Sequence, residues 1–396
     1  MTPEEYREGE SRAGPDREAR DGGLLAFVGT LVVSLCIGTG FVAWANVWGN
    51  YGDAGFFHVY NDRRGKAEAL ESIPREELPD AWLIGASTLY PFLPAAVEER
   101  FGMRTFHLAN YWARTDEHWS WLRFLLDDLR ASPKLILLGL ETWAFQPGDD
   151  GPVFYRHLRR RLLNTPQLTP YVSGYRPAVH RLSQALDLLS GQQFSLAMRA
   201  VTTGQERKLF VPIGDHARFS PDGSGPYADE EPESSFASPR INRFYAEILA
   251  GQRDPDTAPS RELRARFLDE PWISADDVAV FFPGDTFASP QLELFDRFVR
   301  LATEREIPLV VLLLPVHPLF EDALRAGDPD REHRVVRLRA EADRRLAAAG
   351  GRTLLVDASD LAHFGGDPFG FHDRHHMKPS NADRILDLAQ RRWNDL

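Results

Sequence analysis

Short apolar runs recur along this chain, each bounded by proline, glycine or polar residues. Runs of this length with no alternating polar positions are typical of strands that are buried on both faces of a parallel sheet. They predict five strands, at residues 81–86, 105–109, 135–140, 309–314 and 353–356.

The segments between these runs carry apolar residues at helical spacing, as at 116–130, 331–348 and 381–393. Strands that alternate with helices predict an α/β protein with helices on both faces of the sheet. Five strands favour a flavodoxin-like three-layer sandwich with the parallel strand order 2-1-3-4-5. The pattern loosens at about 150–285, which we interpret as a largely helical insertion in a domain that spans 79–396.

The N-terminal part has a different pattern, because no charged residue occurs from Leu24 to Trp48. At about 1.5 Å per residue, a helix of this length can cross a hydrocarbon core about 30 Å thick. We therefore predict one transmembrane helix at 23–48, with a signal peptide and a buried core helix as alternatives. The charged segment 1–22 is predicted to be a disordered tail and 49–78 a juxtamembrane connector.

The positive charges predict the orientation of this helix. Four arginines precede it, whereas Arg63, Arg64 and Lys66 lie well beyond it. The positive-inside rule then predicts a cytoplasmic tail, and a large extracytoplasmic domain anchored to the cell membrane.

The net charge and the cysteine count argue against several classes of protein. The chain of 396 residues has a formal net charge of −12, which argues against a nucleic-acid-binding protein, since such proteins carry a basic patch. Cys36 is the only cysteine, so a disulfide framework and a cysteine-based zinc site are both excluded within one chain. We predict no cofactor.

The first candidate site residue is Ser87, which follows the apolar run at 81–84 after Gly85 and Ala86. Small residues allow a sharp turn at a strand end, and ligands of open α/β sheets bind at the carboxyl ends of strands. Ser87 is thus a candidate nucleophile whose own backbone N–H can stabilise negative charge. The alternative is that Ser87 only caps the following helix.

The second candidate segment, Phe371–Pro379, holds three histidines and one aspartate. If Asp373 orients His376, the imidazole can act as general base towards a serine hydroxyl. A solvated histidine-rich loop is one alternative. A metal site is another, with ligands drawn from His363, His372, Asp373, His375 and His376, although this spacing is not diagnostic and we predict no metal.

Together these two segments resemble the SGNH (GDSL-like) hydrolase superfamily. Gly85-Ala86-Ser87 follows the first strand, and Asp373-x-x-His376 precedes the last helix, in that family's order. The resemblance covers about 80–145 and 290–393. It implies a Ser87, His376 and Asp373 triad in a serine esterase or O-acyltransferase.

The N-terminal span makes the chain similar to one branch of that superfamily, the membrane-anchored proteins of bacterial cell-envelope acylation. Two further segments, Leu137–Phe145 and Leu313–Pro318, look similar to strand ends in that branch. The resemblance implies O-acyl groups on an extracytoplasmic glycan as substrate. It also implies a polytopic acyltransferase of the MBOAT type as partner.

The chain departs from the family pattern at the oxyanion hole. Family members complete it with a glycine in the second block and an asparagine in the third, whereas this chain has Leu108-Ala109-Asn110 and Gly139-Leu140-Glu141. We expect the Ser87 backbone N–H and Asn110 to act as donors. The alternative is a catalytically degenerate subunit that binds glycan or scaffolds the acyltransferase, with a bulky side chain such as Trp112 above Ser87.

Overall fold

A computed structural model describes two compact units of the chain. One unit comprises Met1–Ala54 with Pro177–Leu209, and the other comprises Gly55–Arg176 with Phe210–Leu396. The described residues are 15–45, 57–110, 113–145, 165–179, 289–327, 331–372 and 375–395, with a few isolated positions between 181 and 261.

In the first unit, the described structure is mainly the helix α1, Pro15–Ala45. The Phe41 ring lies 6.1 Å from that of Trp44 and 5.7 Å from that of Phe194. Among the described residues, no helix combines the length and the apolar character needed to cross a membrane.

A sheet of five parallel strands forms the centre of the second unit. The strands are β1 (Ala81–Ile84), β2 (Thr105–His107), β3 (Leu135–Leu140), β4 (Leu309–Leu313) and β5 (Thr353–Asp357). Their order is β2-β1-β3-β4-β5, which confirms the predicted parallel sheet and its order. The predicted strand at 105–109 ends two residues early, although Asn110 still forms a parallel bridge with Ala86.

Successive side chains of each strand enter two separate cores, because side chains alternate across a sheet. Trp82 and Ile136 belong to one core, and Leu83 and Leu137 to the other. The helices are α2 (Phe57–Glu71), α3 (Pro94–Phe101), α4 (Thr115–Arg123), α5 (Ser289–Glu304), α6 (Pro318–Gly327), α7 (Arg331–Ala349), α8 (Leu361–Phe364) and α9 (Pro379–Asn394).

The first core lies against α4, α5 and α7, and the second against α3 and α9. Helices therefore cover both faces of the sheet, as predicted. The predicted helix at 116–130 is divided into two parts. The α-helix α4 ends at Arg123, and a π-helical turn follows it at Phe124–Asp128.

The structure describes most of the segment predicted to be a connector and little of the predicted insertion. The segment at 49–78, predicted to be a connector, contains α2, and α2 buries Arg63 and Lys66 within the second unit. Most of the predicted insertion at 150–285 lies outside the described residues. Among its described positions, the Asp222 carbonyl accepts a hydrogen bond from the backbone N–H of His107 (2.8 Å).

Two glycines bring β1 and β3 close together at their carboxyl ends. A Cβ atom on Gly85 would lie 2.5 Å from Cδ1 of Leu89, and one on Gly139 would lie 2.7 Å from Cγ of the same leucine. Leu89 is fully buried. These two positions therefore need glycine because the Leu89 side chain folds over both.

Gly139→Ala should lower the free energy of unfolding by about 1–3 kcal/mol, since the added methyl group overpacks this contact. Leu89→Ala should relieve the clash, so the double variant should lose less stability than the sum of the two single variants. Urea unfolding of the three variants measures this coupling. Strictly additive losses would show that the Gly139–Leu89 contact is not the cause.

Candidate active site

Ser87 lies in a tight turn at the carboxyl end of β1. Ala86 has extended backbone geometry, and the 3₁₀ turn Ser87–Leu89 follows it directly. The N–H of Leu89 donates to the Ala86 carbonyl (3.0 Å), and the N–H of Tyr90 donates to the Ser87 carbonyl (2.9 Å). Since the N-cap position belongs to Ala86, the alternative that Ser87 is the N-cap is wrong.

This turn occupies the site where open α/β sheets bind ligands. In the order β2-β1-β3, the strands that flank β1 are reached by connections that run in opposite directions. Such a switch point leaves a crevice at the carboxyl ends of the two central strands. Ser87 follows β1 and Glu141 follows β3, so these two residues lie on either side of the switch point.

His376 belongs to a closed loop that precedes α9. Phe371 and Met377 form an antiparallel bridge across this loop, and both side chains are fully buried. The N–H of His372 donates to the His376 carbonyl at 2.8 Å. Packing and backbone hydrogen bonds therefore fix the position of His376 within the loop.

Asn381, in the first turn of α9, ties this loop to the chain before it. Its Nδ2 donates to the carbonyls of Asp367 (2.8 Å) and Gly370 (3.0 Å), and its Oδ1 accepts from the Asp367 N–H (2.8 Å). A Cβ atom on Gly370 would lie 2.4 Å from Nδ2 of Asn381, so this contact needs glycine. This role of Asn381 is not evident from sequence, because polar residues are ordinary in the first turn of a helix.

The two segments meet at their key side chains. Nε2 of His376 lies 2.9 Å from Oγ of Ser87, although the residues are 289 positions apart in the chain. Only 6% of Ser87 and 4% of His376 is exposed. This distance permits direct proton transfer between the hydroxyl and the imidazole. Asp373, the third predicted catalytic residue, lies outside the described residues.

Asn110, the predicted second oxyanion donor, lies beside the turn. Its backbone N–H donates to the Gly85 carbonyl (3.0 Å), and its side-chain Nδ2 donates to the Leu108 carbonyl (2.7 Å). The side chain is fully buried, and its Oδ1 has no hydrogen-bond partner among the described residues. One amide hydrogen is thus committed to the Leu108 carbonyl, and the Asn110 side chain has no exposed surface.

His107 links β2 to the same turn. Its Nε2 lies 2.8 Å from the Leu89 carbonyl, and its Nδ1 lies 3.3 Å from the Ala109 backbone nitrogen. Burial, and then the nearby Lys66 ammonium group, lower the pKa of His107 to about 3. A neutral ring that donates from Nε2 and accepts at Nδ1 satisfies both contacts. At pH 7 the His107 ring is therefore uncharged, and its hydrogen bonds stabilise the turn.

Lys66 and Glu141 complete the polar surroundings. Nζ of Lys66 donates to the Ala109 carbonyl (2.7 Å), which fixes the chain next to Asn110. The hydroxyl of Thr88 donates to Oε1 of Glu141. Glu141 is 5% exposed, and burial raises the pKa of its carboxyl group to about 7.

Two other histidines considered as metal ligands, His363 before the second segment and His375 within it, contact different groups. His363 lies 3.4 Å from Asp357, while the His375 ring lies 5.2 Å from that of Phe320 and 5.7 Å from that of His376. Within the part of the chain that the structure describes, no three His, Cys, Asp or Glu side chains are grouped to hold a metal ion.

No protein-family model matches this chain, and no curated protein is significantly similar to it. The resemblance to SGNH hydrolases therefore stays a prediction from the residues of the two segments.

Proposed function

We propose that this protein is a membrane-anchored, SGNH-like serine esterase or O-acyltransferase that acts on O-acyl groups of an extracytoplasmic cell-envelope glycan. The observation that carries the proposal is the hydrogen bond of 2.9 Å between Ser87 and His376. A serine hydroxyl paired with a buried imidazole at the carboxyl end of a central strand is the arrangement of an activated nucleophile.

The chemistry proceeds in two steps. Oγ of Ser87 attacks the acyl carbonyl while Nε2 of His376 takes the hydroxyl proton, and His376 then returns that proton to the departing alcohol. The product is an acyl-serine. Water or an acceptor hydroxyl next attacks this ester and gives its proton to His376, which passes it to Ser87 as the acid or the new ester leaves. In this proposal Asp373 orients His376.

Negative charge on the carbonyl oxygen needs hydrogen-bond donors in both steps. The proposed donors are the backbone N–H of Ser87 and the remaining side-chain amide hydrogen of Asn110. Loss of one such donor typically lowers the rate about 10²–10³-fold. A site with few donors would therefore be slow towards simple esters.

The membrane anchor is proposed for residues 24–48. Its support is the uncharged sequence of this stretch, together with the exposed side chains of Phe27 (66%) and Ile37 (68%) in α1. One helix cannot carry an acyl group across a bilayer, so a transferase of this kind needs a donor from a polytopic protein. An acyltransferase of the MBOAT type is the proposed partner.

Turnover of an acylated glycan tests this function. The full-length protein should release acetate from O-acetylated oligosaccharides, or move the acetyl group to a second glycan, as measured by mass spectrometry. The matched control variant is Ser359→Ala, since the Ser359 hydroxyl donates to Asp357 (2.6 Å) at the end of β5. Equal turnover by Ser87→Ala and wild-type protein would contradict the proposal.

A second candidate function is that of a non-catalytic subunit that binds glycan or scaffolds the acyltransferase. The commitment of the Asn110 amide to the Leu108 carbonyl favours it, because this leaves the oxyanion hole poor in donors. Trp112, which this alternative places above Ser87, lies outside the described residues. Glycan binding with no turnover, and with no reaction of Ser87 towards an active-serine probe, would favour the second function.

A further inference from the structure

A hydrogen bond joins the turn that carries Ser87 to the end of the neighbouring strand. The Thr88 hydroxyl donates to Oε1 of Glu141, which directly follows β3. Thr88 is 1% exposed and Glu141 5% exposed. This contact spans the switch point between β1 and β3, so it fixes the residue next to the proposed nucleophile against the adjacent strand.

The second carboxyl oxygen of Glu141 has a different environment. Oε2 is buried and has no hydrogen-bond partner among the described residues. A buried carboxylate normally needs an ion pair or several donors, and without them it takes up a proton instead. The geometry thus favours a neutral carboxylic acid beside Thr88.

Glu141 lines a cavity of about 220 Å³, and several charged side chains line the same cavity. They are Glu321 and Arg325 on α6, Arg339 on α7, and Asp360 and His363 after β5. Two of the cations have acidic partners, because Arg325 pairs with Glu321 (3.3 Å) and Arg339 with Asp357 (2.7 Å). Burial, rather than a neighbouring charge, raises the pKa of Glu141.

We propose that Glu141 is a positioning residue for Ser87, that it acts through the Thr88 hydroxyl, and that its neutral acid is the working form. This inference rests on the proposed function, since it assumes that Ser87 is the nucleophile. Ionised Glu141 would carry a negative charge beside Thr88, the residue that follows Ser87. During acyl transfer, negative charge also develops on the oxygen of the acyl carbonyl that Ser87 attacks. Charges of the same sign repel strongly at such a buried site, so the reaction should slow as Glu141 ionises.

The test is the rate at which a fluorophosphonate labels Ser87 in the full-length protein between pH 5 and 9. Relative to Glu141→Gln, which stays neutral, the wild-type rate should fall about tenfold for each pH unit above the pKa of Glu141. The ratio of the two rates should be near one at pH 6. A ratio that is constant with pH would overturn the proton-dependent role.

Thr88 supplies the second arm of the test. Thr88→Val should lower the labelling rate several-fold, and Thr88→Ser should restore it because the hydroxyl returns. Equal rates for Thr88→Val and wild type would overturn the positioning role.

A third arm does not depend on labelling. A raised pKa means that the folded state binds the Glu141 proton more tightly than the unfolded state does. The contribution of this proton to the free energy of unfolding is therefore fully present below about pH 4.5 and decreases as the pH rises to about 7. The melting temperature of the wild type should fall across this range more than that of Glu141→Gln. Identical profiles would overturn the proton-dependent role even if Ser87 reacts. Wild-type protein that is folded yet unlabelled at every pH would instead overturn the proposed function, and this inference with it.

Discussion

Ser87→Ala should reduce turnover of an O-acetylated oligosaccharide by about 10⁴-fold or more, to the level of residual binding and oxyanion effects. The variant lacks the Oγ atom that is proposed to form the acyl-enzyme. His376→Ala should cost about 10²–10⁴-fold, because Ser87 loses the base that lies 2.9 Å from its hydroxyl. The double variant should be no worse than Ser87→Ala, since the two residues act as one unit.

The matched control for this prediction is Ser359→Ala. Ser359 donates to Asp357, so it belongs to the end of β5 and not to the Ser87 turn. This control variant should retain the wild-type rate. Additive losses from the Ser87 and His376 substitutions would contradict a shared role, as would full activity of either variant.

Glu117→Ala should be the most destabilising single change considered, at about 3–5 kcal/mol of unfolding free energy. The Arg63 guanidinium donates to Oε2 of Glu117 at 2.7 Å, and the two side chains are only 1% and 5% exposed. Burial raises the pKa of Glu117, so this carboxyl can become neutral when it loses its partner. Arginine cannot release its proton, and Glu117→Ala therefore leaves a charged group in the interior.

The reverse change, Arg63→Met, should cost less than Glu117→Ala for the same reason. The double variant Arg63→Met with Glu117→Leu should recover much of the loss, because apolar residues of similar volume often replace a buried ion pair without penalty. Chemical denaturation of the four proteins measures the cycle. Equal losses for the two single variants would contradict the asymmetry, and a double variant as unstable as Glu117→Ala would show that packing dominates.

The sheet could be predicted from sequence because each of its strands is a local apolar run. Leu135–Leu140 is buried at every position, so the run itself marks the strand. The end of β2 was less predictable, since Leu108 and Ala109 are buried outside the strand and their apolar character extends the run. The parallel direction of the strands follows from the alternation of strands and helices.

The contact between Ser87 and His376 could also be predicted from sequence. Ser87 follows β1 and His376 precedes α9, and both places lie at the carboxyl edge of a parallel sheet. The buried contacts of α2 could not be predicted. Lys66 and Arg63 occur in a polar helix, and their burial depends on Ala109 and Glu117, which are 43 and 54 positions away.

Fluorophosphonate labelling of the purified full-length protein, followed by peptide mapping, shows whether Ser87 is an activated nucleophile. We expect one covalent adduct, on the peptide that contains Ser87, and we expect it to disappear in Ser87→Ala and to fall sharply in His376→Ala. Labelling of Ser359→Ala should match the wild type. A folded wild-type protein that forms no adduct at Ser87, or one whose Ser87 labelling is unchanged in His376→Ala, would contradict an activated serine.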